Sequence, residues 1–564
     1  MKVGVSKVNI TFYNEGKGMM GYGMHFHKTS KVKTELFARC TVIFDEVNNK
    51  KLIFVCAELC FPTIALKHEI IQRVKPFLPN ITEDNFMFTA QHTHSSPAGL
   101  SHHLFYNIVT PGFQVNIFNN IAKQISNGII EADKKLKKCN IKYGQDAFDE
   151  NIPIAFNRSM KPYNANPEIE TTINESQKCI DRNMRMLLFV DENNTPITAI
   201  NWFGVHTTSI SNDKNDICAD NKGYAAALHE AENNNFISTF AQEAAGDVTP
   251  NYIWDKKKNW TRGIYEDDYL SAEWHGNQQK IKANSIIETL LNNENSLLKN
   301  STIDCISQNY DFSNTSILQN FAHLQNEAKT GSPAIGVAML AGTKEGPGMH
   351  PIVAQLTIIM SQIIKLYEQT ILQFFINART KKRIKEKYKA HGNKNIVIEA
   401  GVGRLLGTSS IKDFIVPSWA DPTIAYLKQI GRTRFRKITP WVPKILPLQI
   451  FQIANIAIVS IPGEITTIAA KRLRLLLLKE LQPKGIQEII ISSYANAYCG
   501  YITTFEEYQL QHYEGGHTVY GQHTLGALLT NYKNLTEHFI NNIPIQKIPL
   551  KIFDLNDIWQ NEKK

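Results

Sequence analysis

Asn85-Phe86-Met87-Phe88-Thr89-Ala90-Gln91-His92-Thr93-His94-Ser95-Ser96-Pro97 sets a short apolar run against a polar loop that carries two histidines. The run at 85–89 has the length and composition of a buried strand. In an extended backbone, residues two apart project to the same side, so His92 and His94 are expected to face one pocket. Two neutral imidazoles on one face suit a zinc ion, or one ligand plus one proton-transfer group. The plainer reading is a pair of surface histidines.

The surroundings decide the fold class. Residues 3–10 alternate like a first strand. Residues 41–44 and 52–56 read as two strands around Asn48-Asn49-Lys50, and 64–75 as a helix stopped by Pro76. Strand, helix and strand in this order predict a mixed α/β domain. The pattern continues downstream. Residues 113–136 have helical spacing, and 197–205 read as a strand that delivers His206. The apolar run 236–241 leads into the turn Gly246-Asp247-Val248-Thr249-Pro250-Asn251. Residues 254–268 read as loop, and 361–392 as one long helix with a basic second half. Paired strands are expected at 448–453 and 456–461. Pro462-Gly463-Glu464 then leads into a helix at 466–481, and 486–493 form a further strand. The residues after 540 alternate weakly, as a last strand would. No sequence repeat or low-complexity linker interrupts the chain.

With 564 residues, 43% of them hydrophobic, the chain has material for a large core. The formal charge of +9 is mild over this length. It permits attraction to an anionic membrane surface and is no nucleic-acid signature. The basic stretch Lys381-Lys382-Arg383-Ile384-Lys385-Glu386-Lys387 reads most simply as a solvated helix face; a peripheral membrane contact is the sharper alternative. The eight cysteines form no Cys-x-x-Cys pair, which argues against a thiolate metal site and suits small buried side chains. No run of about eighteen apolar residues predicts a transmembrane segment. The first residues lack the apolar core of a signal peptide, so a cytoplasmic or already processed chain is expected and its location stays open. The loop at 16–23, Gly-Lys-Gly-Met-Met-Gly-Tyr-Gly, lets backbone approach a ligand closely but lacks the ending of a phosphate loop.

Polar residues gather at strand ends, where α/β sheets form ligand sites: His92, His94, Arg158, His206, Glu464, Tyr501 and Tyr513. Each has a plainer alternative. His206 fits a core histidine bonded to backbone, and Glu464 a helix N-terminal carboxylate. Arg158 fits a surface ion pair, and the two tyrosines fit packing with satisfied hydroxyls.

Taken together, ordered landmarks carry more. They are Gly18-Met19-Met20-Gly21-Tyr22, Gln91-His92-Thr93-His94-Ser95, Asn157-Arg158-Ser159 and Asn201-Trp202-Phe203-Gly204-Val205-His206. Asp220-Asn221-Lys222-Gly223-Tyr224, Gly246 to Asn251, Gly342-Thr343-Lys344-Glu345-Gly346-Pro347-Gly348 and Ile461-Pro462-Gly463-Glu464 come next. The last group runs from Tyr494-Ala495-Asn496-Ala497-Tyr498 to Tyr513-Glu514-Gly515-Gly516-His517-Thr518. The chain resembles the neutral, or neutral/alkaline non-lysosomal, ceramidase family. The resemblance implies a mixed-sheet α/β zinc amidohydrolase that cleaves the N-acyl amide of ceramide to sphingosine and fatty acid. It implies one zinc per chain held by His92, His206, Glu464 and Tyr501, with water completing the shell. His94, Arg158 and Tyr513 would line the reacting amide. Thr249 stands where the family carries a serine discussed as a nucleophile, and its extra methyl favours a turn role. On this reading residues 1–540 are the catalytic domain and 541–564 a short tail. The family's C-terminal immunoglobulin-like β-sandwich is then absent from this sequence. A related zinc amidase for another N-acyl lipid and a non-catalytic lipid-binding homologue are the alternatives.

Overall fold

The computed structural model describes residues 1–558 apart from 109–111, 233–234, 300–301, 324–326, 408–424, 426–427 and 430–439. Three larger sheets share one topology. In the first, β1 (Lys2–Asn9), β2 (Phe37–Asp45) and β3 (Lys50–Ala57) run antiparallel. Helix α1 (Ile64–Val74) then crosses over to β4 (Phe86–Ala90), parallel to β3. The second sheet repeats the plan. Its strands β5 (Asn140–Ala147), β6 (Asn183–Val190) and β7 (Pro196–Phe203) are antiparallel, and helix α3 (Asp220–Glu232) leads to β8 (Ile237–Gln242), parallel to β7. Helix α2 (Val115–Lys134) precedes this sheet, and α4 (Asp268–Asn292) comes after it.

In the third sheet, β9 (Ile303–Asp311), β10 (Ile445–Ile453) and β11 (Ile456–Ser460) are antiparallel. Between β9 and β10 lie α5 (Pro351–Gln369) and α6 (Ala378–His391). A two-residue strand, β12 (Glu464–Ile465), and helix α7 (Thr467–Glu480) precede β13 (Glu488–Ser492), parallel to β11. Strand β14 (Tyr501–Ile502) pairs with β12, and helix α8 spans Thr524–Asn541. The repeat absent from the sequence is thus present as topology.

Alternation explains how the sheets assemble. Successive strand residues point to opposite faces. On β3, Leu52, Phe54 and Cys56 enter a core shared by all three sheets, whereas Ile53, Val55 and Ala57 meet α1 and α2. On β7, Ile200 and Trp202 face that shared core, with Ala199 and Phe203 turned toward α3 and α4. On β11, Ile456 and Ile458 face it, with Ala457 and Val459 turned toward α7 and α8. Trp202 is fully buried there, and truncation to alanine would cost about 3–5 kcal/mol.

The parallel strands converge at their C-terminal ends. Gln242 Nε2 donates to the Gln91 carbonyl at 2.9 Å, Ser493 N–H to the Gln242 carbonyl at 3.2 Å, and Ala90 N–H to the Tyr494 carbonyl at 3.1 Å. These bonds close a ring that joins the three units.

Four expectations are corrected. The helix expected at 361–392 is two helices, starting with Pro351 at the first turn and broken between Gln369 and Ala378, where Asn377 caps α6 by accepting from Thr380 N–H at 2.9 Å. Part of the loop expected at 254–268 is a hairpin, Ile253–Asp255 against Trp260–Arg262. No described residue after Asn541 lies in a strand. There Gln308 and Asn309 side chains bond the carbonyls of Gln546 and Ile548, and Phe553 and Ile558 are buried against the first unit. The fourth is the backbone at His92, which is left-handed rather than extended. The eight cysteines are free thiols, seven of them buried.

Candidate active site

The ends of the three parallel pairs supply the chemistry. The first unit gives His92 and His94, the second His206, and the third Glu464 and Tyr501. His92 and His94 do converge, but not by extended register. The strand ends at Ala90, and His92 has φ +76°, a conformation unusual for a side chain with a Cβ. The backbone turn brings His94 Nε2 to 3.0 Å from His92 Nε2. Strained backbone of this kind is held by its surroundings and concentrates at functional sites. Gly21 makes room: a Cβ there would lie 2.3 Å from His94 Cγ. The glycine-rich loop therefore approaches a site histidine.

His92 Nδ1 donates to the Cys60 carbonyl at 2.7 Å, and His206 Nδ1 lies 2.6 Å from the Ala245 carbonyl. An imidazole bonded this way presents Nε2 as a lone pair. Both Nε2 atoms face Glu464, whose Oε2 is 3.5 Å from His92 and 3.0 Å from His206. One ligand atom from each of His92, His206 and Glu464 lies within 4.8 Å of the others, and all three residues are buried. Cys60, His92 and His94 form a second such group, but burial pushes the Cys60 thiol well above its ordinary range. A buried thiol held neutral is a poor ligand. Two histidines and one carboxylate with outward Nδ1 anchors fit a divalent metal such as zinc.

Tyr501 stands opposite Glu464 in the β12–β14 register, with its hydroxyl 3.3 Å from His206 Nε2. Arg158 Nη2 donates to that hydroxyl at 2.9 Å. The Arg158 side chain is 8% exposed and forms no surface pair. It bonds Glu345 through Nη1 at 3.0 Å and Glu514 through Nε at 2.9 Å. Its neighbours fix the segment. Asn157 Nδ2 donates to Asp247 Oδ2 at 2.7 Å, and Ser159 Oγ to Glu514 Oε2 at 2.6 Å. Tyr513 is half-buried, its ring 5.5 Å from that of Tyr501 and 5.5 Å from the Arg158 guanidinium. Thr249 Oγ1 accepts from Asn251 N–H at 2.9 Å.

Burial lowers His92 to about 4 and His94 well below 6.5. Burial alone would raise Glu464, but His92, His206 and the Tyr498 hydroxyl hold its carboxyl well below the usual range. His92 and His94 are thus favoured as neutral imidazoles beside an ionised Glu464 carboxylate. Burial and the Glu464 charge push the Tyr501 phenol well above 10, against the pull of Arg158. A bound cation would reverse that balance.

Sequence reasoning missed several contacts. Tyr494 donates to Glu464 Oε2 at 3.0 Å, and Tyr498 donates to Glu464 Oε1. Glu345 and Glu514 grip Arg158. All four residues lie inside the landmark stretches, and that position is the one signal the sequence holds for them. Glu464 is no helix-end carboxylate: Thr466 is the cap of α7.

This arrangement defines a mixed α/β protein with a buried centre of the two-histidine, one-carboxylate type that hydrolytic metal sites use. The chain belongs to the neutral/alkaline non-lysosomal ceramidase family, whose N-terminal profile matches residues 1–416 and 423–530. It is 29% identical to neutral ceramidase A of Dictyostelium discoideum over 96% of this chain and 73% of that protein. It is also 29% identical to the neutral ceramidase of Pseudomonas aeruginosa, over 97% of this chain and 73% of that one. The crystal structure of the Pseudomonas aeruginosa neutral ceramidase superimposes with a TM-score of 0.76 at 26% identity, covering 98% of this chain and 76% of that chain. A ceramidase complexed with C2 gives a TM-score of 0.79 at 27% identity, covering 98% and 77%.

Proposed function

We propose that this chain is a zinc-dependent amidohydrolase that cleaves ceramide to sphingosine and a fatty acid. The observation that carries this is the convergence of His92, His206 and Glu464, with Tyr501 beside them, in a member of the ceramidase family. These four residues would hold the metal. Bound there, zinc would polarise the amide carbonyl and lower the pKa of a water toward about 7.

The protein's own groups do the rest. The ring of Cys60, Ala245 and Val248 carbonyls fixes both imidazoles before any ligand arrives. Tyr494 and Tyr498 orient the Glu464 carboxylate, occupying both of its oxygens as acceptors. That leaves His94, whose Nδ1 has no hydrogen-bond partner among the described residues, as the better proton carrier to the departing amine. Arg158 and Tyr513 supply positive charge and a donor where the carbonyl oxygen becomes negative. Thr249 serves its turn.

The test is an assay of the metal-loaded protein on short- and long-chain ceramides, other N-acyl lipids and acyl amino acids, reading both released products. Sphingosine and fatty acid from ceramide support the reading. Hydrolysis confined to another N-acyl compound assigns the related amidase, and lipid binding without any hydrolysis assigns the non-catalytic homologue.

A further inference from the structure

Asp220-Asn221-Lys222 opens α3 with three consecutive polar residues, each 0% exposed. Burying polar groups costs stability unless each finds a partner. Here each reaches the same loop, residues 203–210, which leaves β7 and carries His206. Lys222 Nζ donates to the Phe203 carbonyl at 2.8 Å, where the strand ends. Asn221 Nδ2 donates to the His206 carbonyl at 3.0 Å and to Ser209 Oγ at 3.1 Å. Asp220 accepts from the Ser209 and Ile210 N–H groups at 3.3 and 3.0 Å. A helix end serving its own stability would turn these side chains to its own first-turn N–H groups. Of these contacts only the bond from Asn221 N–H to Asp220 Oδ1, at 2.6 Å, does so.

Asn221 is itself oriented for its contact. Its Oδ1 accepts from Gln279 Nε2 of α4 at 3.4 Å, which leaves the amide nitrogen for the His206 carbonyl. A carbonyl only accepts, so the nitrogen is the atom that must face it. The other polar groups of His206 are tied to a different segment. Its N–H donates to the Val248 carbonyl at 3.1 Å, and its Nδ1 faces the Ala245 and Val248 carbonyls. Residues 245–248 thus hold the imidazole, and Asn221 holds the backbone that delivers it.

The same loop serves the other reacting groups. The Thr207 carbonyl accepts from His94 N–H at 3.4 Å, and Thr208 Oγ1 donates to Glu345 Oε2 at 3.0 Å. The Ile210 carbonyl accepts from the Tyr22 hydroxyl, and the Tyr22 ring lies 4.6 Å from that of His94. A shift of this loop would reach His206, His94 and, through Glu345, Arg158 together.

We propose that Asn221 is a positioning residue that sets His206 for the metal, with Asp220 and Lys222 anchoring the two ends of its loop. The inference rests on the metal-centre reading above and adds to it a residue that touches neither metal nor substrate.

The test reads the metal environment directly. Cobalt(II) is loaded into the full-length protein in place of zinc, and its visible absorption reports the ligand geometry. Zinc affinity is measured by chelator competition. Asn221→Leu keeps the bulk and removes the donor. It should weaken zinc binding roughly 10- to 100-fold, alter the cobalt spectrum, and lower kcat on dissolved short-chain ceramide with KM little changed. Ala226→Gly loosens the same helix without removing any bond to the loop. It should lower the melting temperature and leave the spectrum and zinc affinity as in wild type. Asn221→Ala answers the question if leucine crowds the fold. An unaltered cobalt spectrum and zinc affinity in a folded Asn221 variant would overturn the proposal. So would the same spectral change in Ala226→Gly, or failure of both Asn221 variants to fold, since the residue would then serve stability alone. An altered spectrum in the variant, with no ceramide cleavage by wild type, would support this inference and sink the substrate reading alone. Wild-type protein that takes up neither metal would overturn both.

Discussion

Glu464 and Tyr501 are side by side because β12 and β14 pair in parallel with these two residues in register. Two-residue strands are too short to be recognised from alternation, so this register is invisible in the sequence. It nevertheless places the carboxylate and the phenol on neighbouring backbones, both turned toward His206.

The donor set leads to a metal count. Purified protein should carry about one zinc per chain by elemental analysis, as a mononuclear site does. His206→Ala should lose most of it. Full zinc retention by that variant would mean the ligands are assigned wrongly.

Tyr513→Phe isolates a hydroxyl. Arg158 is a poor subject for the same question, because its removal strands the buried Glu345 and Glu514 carboxylates, at a cost of about 3–5 kcal/mol. The phenylalanine ring would keep the contacts with Tyr501 and Arg158. Turnover should fall on the order of 100- to 1,000-fold, with zinc content and KM little changed. Near wild-type kcat would return Tyr513 to packing.

Thr249→Val should fold, bind zinc and retain substantial activity. Its hydroxyl accepts the Asn251 N–H, and losing that bond costs on the order of 1 kcal/mol. An inactive but folded and zinc-loaded variant, or a trapped acyl-enzyme on wild type, would make Thr249 the nucleophile.

Gly21→Ala tests His94 from outside the ligand set. The residue has φ +123°, and the new methyl would collide with the His94 ring. Zinc should remain while kcat drops. Unaltered kinetics would show that His94 can move without consequence.

Stability should fall in mild acid, before the ordinary carboxylates take up protons. Burial lowers His27 and His275, both away from the proposed ligands, to about 4. Their unfolded values lie near 6.5. The unfolded chain therefore binds more protons between these limits, and stability falls as pH drops from about 6.5 toward 4. Melting temperature against pH should show this slope, and His275→Gln should flatten it whatever its level. An unchanged slope would remove His275 from the account.

Local patterning made the strand-helix order, His92, His94 and the strand that delivers His206 readable, since alternation and turn residues are short-range signals. The roles of Arg158, Glu464 and Tyr501 came only through the family resemblance. Contacts at long separation stayed hidden: the Arg158–Glu514 bond spans 356 residues and Arg158–Glu345 spans 187. The left-handed backbone at His92 was hidden too, because nothing in Gln91-His92-Thr93 asks for it. Helix α5 shows another limit of pattern: its apolar stripe has the period of a core helix, and only the folded chain reveals that the stripe faces out.

The closed ring of Gln91, Gln242 and Tyr494 has a consequence for the order of synthesis. A growing chain presents its histidines early, yet it gains Glu464 and Tyr501 only when most of its 564 residues have been made. Until then the first two units wait with an open edge and two of the four proposed ligands. Nascent chains released before residue 501 should therefore be both metal-poor and sticky, and capture of the ion is a sign that translation has passed Tyr501.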